Sequence, residues 1–149
     1  MNTLELIQSR SNRQFFLIAG PCAVESKDLC FEVAETVNRL TSERDIPYVF
    51  KASFKKANRS KDNSFTGIGE EAGLEILGEV RKYFGLPVTT DIHESYHAEL
   101  AAKYVDVMQI PAFLCRQTDL LKAAGHTGKT VSIKKGQFLS PEGMRFAVD

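Results

Sequence analysis

Short apolar runs punctuate the chain, and amphipathic stretches separate them. Phe15-Phe16-Leu17-Ile18-Ala19 is apolar at every position, as expected for a strand covered on both faces. Tyr48-Val49-Phe50, Val88-Thr89-Thr90, Val105-Asp106-Val107-Met108 and Thr130-Val131-Ser132-Ile133 are rich in β-branched or aromatic residues and predict four more strands.

The stretches between them carry helical spacing. Leu29, Val33, Val37 and Leu40 form a stripe behind Ser26, a residue that caps helices, with Asp28 placed to favour the helix dipole. Leu74, Leu77, Val80 and Phe84 form a second stripe, stopped by Gly85 and followed by Pro87. A shorter helix is expected over Tyr96 to Lys103 behind Ser95, and another over Thr118 to Ala124, closed by Gly125. Ser140-Pro141-Glu142 reads as a start signal, a cap with proline at the first helical position.

Strict alternation of strand and helix predicts an α/β protein with parallel strands and right-handed crossovers. An open doubly wound sheet and part of a (β/α) barrel both fit, and periodicity does not choose between them. The last helix has barely begun at Asp149. A closed barrel takes about 250 residues and eight strands, so on the barrel alternative this chain is expected to be roughly the first half of one domain.

Composition narrows the class. The 149 residues are 43% hydrophobic and 26% charged, which suits a soluble globular domain. Lys plus Arg balance Asp plus Glu at 19 each, so no net charge draws the protein to nucleic acid or an anionic membrane, and neither is expected as a partner. Residues 1–14 read as an N-terminal extension without the apolar run of a signal peptide, and nothing later approaches a span of about 20 apolar residues. Three cysteines, Cys22, Cys30 and Cys115, have no paired spacing. That argues for a reducing compartment, and the cytoplasm is the expected location.

Charge matters locally instead. Ligands of α/β folds bind beyond the carboxyl ends of the strands, and there the sequence gathers Lys51, Lys56, Arg59, Arg116 and Lys134. So many cations at one rim repel each other unless anions lie between them, and two phosphates, or a phosphate and a carboxylate, would serve. The polar connection from Ala57 to Gly69 is long for a βα loop, and Asn58-Arg59-Ser60 offers an amide, a guanidinium and a hydroxyl together, a workable phosphate cradle.

Five blocks resemble the 3-deoxy-D-manno-octulosonate 8-phosphate synthases. They are Gly20-Pro21-Cys22-Ala23-Val24-Glu25-Ser26, Lys51-Ala52-Ser53-Phe54 through Lys56-Ala57-Asn58-Arg59-Ser60, Asp91-Ile92-His93-Glu94, Gln109 through Leu120, and Lys134-Lys135-Gly136-Gln137-Phe138. The first blocks are shared more loosely with the 3-deoxy-D-arabino-heptulosonate 7-phosphate synthases. The Lys-Ala-Asn-Arg-Ser block and the Pro-Ala-Phe-Leu-Cys-Arg-Gln-Thr-Asp block are the specific ones.

The resemblance implies a (β/α)8 TIM barrel, of which this chain would supply the first five βα units. It also implies a bacterial, cytoplasmic homotetramer that condenses phosphoenolpyruvate with arabinose 5-phosphate on the route to lipopolysaccharide. Carried over by motif, Lys56 and Lys134 would bind phosphoenolpyruvate beside Gln109 and Phe113, and Asn58, Arg59 and Ser60 would hold arabinose 5-phosphate. Lys51 and Asp91 would lie near the reacting carbons, with Arg116 a further substrate contact. Cys22 resembles the ligand that separates metal-dependent members of the family from metal-free members with asparagine, which implies a divalent transition metal such as zinc, iron or manganese. Its other ligands, a His, a Glu and an Asp, would come from later strands. His93 is expected to be polar structure near the pocket, His97 and His126 surface residues, and Cys30 and Cys115 packing residues. Where relatives often carry Asp at position 55, Pro at 95 and Arg at 66, this chain has Lys55, Ser95 and Thr66. Three functional alternatives stand beside the synthase: the heptulosonate synthase, a non-catalytic fragment with unpaired strand edges, and a phosphosugar-binding module.

Overall fold

The computed structural model describes residues 15–57 and 65–149. The expected extension 1–14 and the Asn58-Arg59-Ser60 cradle lie outside the described residues. Five parallel strands, β1 (Leu17–Ala19), β2 (Tyr48–Lys51), β3 (Val88–Asp91), β4 (Val107–Ile110) and β5 (Thr130–Ile133), form a single sheet in the order β1-β2-β3-β4-β5. Each neighbour in space is the neighbour in sequence. A doubly wound sheet reverses its strand order at a switch point, whereas a (β/α)8 barrel adds strands in sequence. No reversal occurs, so the sheet is an arc of five barrel units.

Helices cover one face of that arc. They are α1 (Lys27–Ser42), α2 (Glu70–Phe84), α3 (Ser95–Ala102) and α4 (Thr118–His126), with a short α5 (Arg145–Val148) at the end. Ser26 caps α1, its side chain accepting the Leu29 N–H at 3.2 Å. The stripe that α1 buries is shifted by about one position from the expected one: Cys30, Ala34 and Thr41 are buried, whereas Leu40 is exposed. In α2 the expected stripe holds, with Leu74, Leu77 and Val80 fully buried and Gly85 closing the helix at φ 64°. Glycine relieves the steric cost that a Cβ brings to that left-handed turn.

Several expectations are corrected. The first strand is not covered on both faces among the described residues, because it lies at the sheet edge with Phe15 70% and Ile18 45% exposed. The expected closure of α4 by Gly125 also fails in detail. Gly125 lies inside the helix, and the left-handed glycine is Gly128 at φ 70°. The helix after β3 starts at Ser95 and not Tyr96, with Glu94 as its cap. The Ser140 signal does act as a cap, accepting the Gly143 N–H at 3.1 Å, but it opens a 3-10 turn (Glu142–Met144) before α5. Cys30 and Cys115 are both buried, as expected of packing residues.

The core lies between sheet and helices. Phe50, Ala52, Val88, Ile92, Met108 and Ile110 meet Leu74, Leu77, Val80, Ala98 and Ala101 there. At the opposite end of the strands, Arg81 at the close of α2 forms an ion pair with Asp106 at 2.8 Å, and the same carboxylate accepts the Val88 N–H at 3.0 Å. Among the described residues no helix is long and apolar enough to cross a membrane.

Candidate active site

Strand alternation builds the site. Along β2 and the segment after it, Phe50 and Ala52 enter the helix-side core, so Lys51 and Ser53 face the other way. The same period sends Ile92 to the core and Asp91 and His93 to the far face, then Ile110 to the core and Gln109 and Pro111 outward. Parallel register fixes their height, pairing Lys51 with Thr89 and Asp91 with Gln109. These residues line one concavity of about 290 Å³ at the carboxyl ends of the strands, completed by Lys56, Ala112, Phe113, Lys134 and Gln137.

The backbone near β1 closes one side. Ala23 bridges to Ser53, and the Val24 N–H donates to the Ser53 carbonyl at 2.9 Å. Gly20 permits this approach, since a Cβ there would stand 2.0 Å from the Lys51 carbonyl oxygen. Cys22 lies within this connection as an exposed free thiol.

Asp91 organises the charge. Burial would raise its pKa, but hydrogen bonds from His93 and Ser53 and the nearby Lys51 amine outweigh that and hold it well below the usual carboxylate range. Its Oδ2 lies 2.9 Å from His93 Nε2, and its Oδ1 accepts from the Ser53 hydroxyl and lies 3.5 Å from Lys51 Nζ. Lys56 Nζ reaches the Ser53 hydroxyl at 3.4 Å. Among the described residues neither Lys56 nor Lys134 has a carboxylate partner. His93 is 5% exposed at its side chain, and its Nδ1 is buried with no hydrogen-bond partner among the described residues.

Of the residues singled out from sequence, Lys51, Lys56, Asp91, Gln109, Phe113 and Lys134 converge on this concavity. Arg116 does not line it and is exposed on the turn before α4. Ser53, Pro111, Ala112 and Gln137 line it without having been chosen, and His93 lines it as the polar residue expected near the pocket. The signal for three of them was present: Ser53, His93 and Pro111 each stand two residues beyond a chosen residue on an extended chain and so share its face. Among the described residues, no three of His, Cys, Asp and Glu cluster to hold a metal.

Beside the concavity lies a second polar group. Lys55 Nζ meets Glu70 Oε1 at 2.6 Å, Tyr96 donates its hydroxyl to Glu70 at 3.0 Å, and His97 Nε2 lies 3.3 Å from the same oxygen. His97 is therefore no surface residue. It is fully buried against Phe54 and Glu70, and from the first turn of α3 its Nδ1 accepts the backbone N–H groups of His93 at 3.2 Å and Glu94 at 3.1 Å. His126, by contrast, is exposed.

With this geometry established, comparison with known proteins decides the family. A match described as the DAHP synthetase I family covers residues 4–149. The chain belongs to that family. A 2-dehydro-3-deoxyphosphooctonate aldolase of Variovorax paradoxus is 54% identical over 138 residues, covering 93% of this chain and 48% of that protein. Proteins of the same name from Rickettsia prowazekii and a Cyanothece species are each 52% identical, over 95% and 90% of this chain and 52% and 49% of their own lengths. This member of the DAHP synthetase I family thus spans about half the length of the curated relatives it matches.

The second polar group predicts acid sensitivity. The Lys55 hydrogen bond, helped by Tyr96 and His97, holds the Glu70 carboxyl at about 2 against an ordinary value of 4.5. Its stabilisation is complete above the ordinary value and is lost as pH falls toward about 2. Burial lowers the His97 pKa from 6.5, with the Glu70 hydrogen bond opposing. An unfolded chain therefore takes up that proton first, and stability declines as pH drops below 6.5. Thermal unfolding midpoints measured across pH should fall on this limb. His97→Gln should flatten the part above the glutamate range and leave the lower part in place.

Proposed function

We propose that this chain carries the phosphate-binding part of a 3-deoxy-D-manno-octulosonate 8-phosphate synthase, acting in the cytoplasm as a homotetramer on the route to lipopolysaccharide. The observation that carries the reading is the convergence of Lys51, Lys56 and Lys134 on one concavity in which Asp91 neutralises only the first. Two ammonium groups without a carboxylate among the described residues, facing one space, favour an anionic occupant. The names of the relatives give that anion a chemistry. In the proposed reaction carbon three of phosphoenolpyruvate bonds to the aldehyde carbon of arabinose 5-phosphate. Water adds its oxygen at carbon two, and phosphate leaves as its C–O bond breaks.

The residues divide accordingly. Lys56 and Lys134 hold phosphoenolpyruvate, with Gln109 and Phe113 against it. The Asn58-Arg59-Ser60 segment takes the second phosphate. Lys51 and Asp91 stand beside the reacting carbons, where an amine and a carboxylate can stabilise and move charge and protons. His93 holds the Asp91 carboxylate through its Nε2 at 2.9 Å and so keeps it in place beside the substrates. Holding two polyanions in fixed orientation is most of the catalytic task, and a cationic wall on rigid strands suits it.

Cys22 fits a metal site as one thiolate of a set completed from residues beyond those described. Zinc, iron or manganese there would polarise the aldehyde or orient water. Elemental analysis of the intact protein checks this directly: Cys22→Ala should shed the bound metal, and unchanged metal content in that variant removes Cys22 from the ligand set.

For the activity itself, phosphate release from phosphoenolpyruvate by the intact protein should require arabinose 5-phosphate. Lys56→Ala and Lys134→Ala should each reduce kcat/KM by about a hundredfold or more. Equal turnover with erythrose 4-phosphate would reassign the protein to the heptulosonate synthases, and ligand binding without condensation would make it a binding module.

A further inference from the structure

Two consecutive lysines leave β2 for opposite destinations. Lys56 lines the concavity, while Lys55 turns away to Glu70. Around that second pair lies a chain of contacts that joins two walls of the site. Glu70 opens α2, so its carboxylate sits at the positive end of the helix and at the close of the loop that starts after β2. His97 lies in the first turn of α3, after β3. Phe54, fully buried, packs its ring edge-on against His97 at 5.1 Å between centroids.

We propose that Glu70 and His97 are positioning residues for the substrate site, a clamp that holds the turn bearing Asp91 and His93 at fixed distance from the loop bearing Lys56. The proposal rests on the reading above that this concavity binds phosphate substrates. The hydrogen bonds dictate one protonation state. His97 Nδ1 accepts two backbone N–H groups, from His93 and Glu94, and so carries no proton. The ring proton is therefore on Nε2, which donates to Glu70 Oε1 at 3.3 Å. The same carboxylate is held from the other side by Lys55 at 2.6 Å and by the Tyr96 hydroxyl. One bond fixes the backbone of His93, whose ring reaches Asp91 at 2.9 Å. Another fixes Lys55, whose neighbour in sequence is Lys56.

A second tie runs beneath the first. The Thr90 hydroxyl donates to the Ala52 carbonyl at 2.8 Å and accepts the Phe54 N–H at 3.3 Å, joining β3 to the segment after β2 inside the core. The Lys56 N–H donates to the Thr66 carbonyl at 2.9 Å, so the loop returns to its own base beside the clamp. A doubly protonated His97 would point an N–H at two other N–H groups, and the turn could not keep its shape. The charged and titratable groups that face His97 are Glu70 of α2, Lys55 of the loop, His93 and Glu94 of the turn and Tyr96 of α3.

Four variants of the intact protein test this: His97→Ala, His97→Gln, Glu70→Gln and the double variant Glu70→Gln with His97→Ala. Glutamine at 97 can accept from the two backbone groups and donate to Glu70 without titrating. In His97→Ala, hydrogen exchange at the His93 and Glu94 amides should quicken about tenfold. KM for arabinose 5-phosphate should rise by about tenfold while kcat changes far less. His97→Gln should restore both to within about twofold and remove any rise of KM at mildly acid pH. Glu70→Gln should raise KM too, since it also loosens Lys55, and because the two side chains share one hydrogen bond the rise in the double variant should be smaller than the product of the two single rises. Faster exchange with unchanged KM would leave His97 structural only and overturn the proposal, as would exchange that does not respond. Affinity for inorganic phosphate, followed by titration calorimetry, gives an arm that needs no turnover. Should the protein fail to condense the two substrates, the functional reading falls, yet weaker phosphate binding in His97→Ala still supports the clamp and unchanged binding still refutes it.

Discussion

One buried carboxylate allows the rest of the site to exist. Asp91 ends β3 in the middle of the arc and holds Lys51, Ser53 and His93 around it. A lysine amine turned inward beside two others would be costly without it. A carboxylate turned inward without those three partners would be protonated instead. Each group is tolerable only because the others are present, and parallel pairing sets the register that brings them together. The apolar side of the same strands fixes that register, since a slip by one residue would send Phe50 and Ile110 to the site and Lys51 and Gln109 into the core.

Much of this was legible in the chain. Alternation of apolar runs with helical stripes was enough to give five parallel strands and the helices between them, because period is the property that burial imposes most directly. It could not say whether the sheet curls or reverses, which depends on which strands become neighbours. The order β1-β2-β3-β4-β5 resolves that. The all-apolar first run misled for a physical reason. Phe15 and Ile18 are apolar yet open at an edge, and hydrophobicity alone reports a gain from being covered, not what does the covering.

The site was legible at the strand ends and obscure between elements. Lys51, Asp91 and Gln109 at the carboxyl ends of their strands, and Lys134 just after β5, follow from those positions. His97 was misread because a histidine with polar neighbours in sequence resembles a solvated one. Its burial depends on Phe54 and Glu70, both distant along the chain, which no local pattern exposes. Lys55 and Lys56 pose the same problem in miniature. Only Lys56 was a candidate phosphate ligand, and Lys55 stood out merely as a departure from relatives, because its partner Glu70 at the head of α2 is fifteen residues away. The site and its support are thus written in different ways, one in strand period and the other in long-range polar partners.

The proposed function depends on an anion bridging amines that the fold brings together without giving each a carboxylate among the described residues. The most direct measurement is a crystal structure of the intact protein with phosphoenolpyruvate bound. Phosphate or carboxylate oxygens within ion-pair distance of both Lys56 and Lys134 Nζ are expected, with Lys51 still on Asp91. Phosphoenolpyruvate seated away from these amines, at a concentration that saturates turnover, would contradict that dependence.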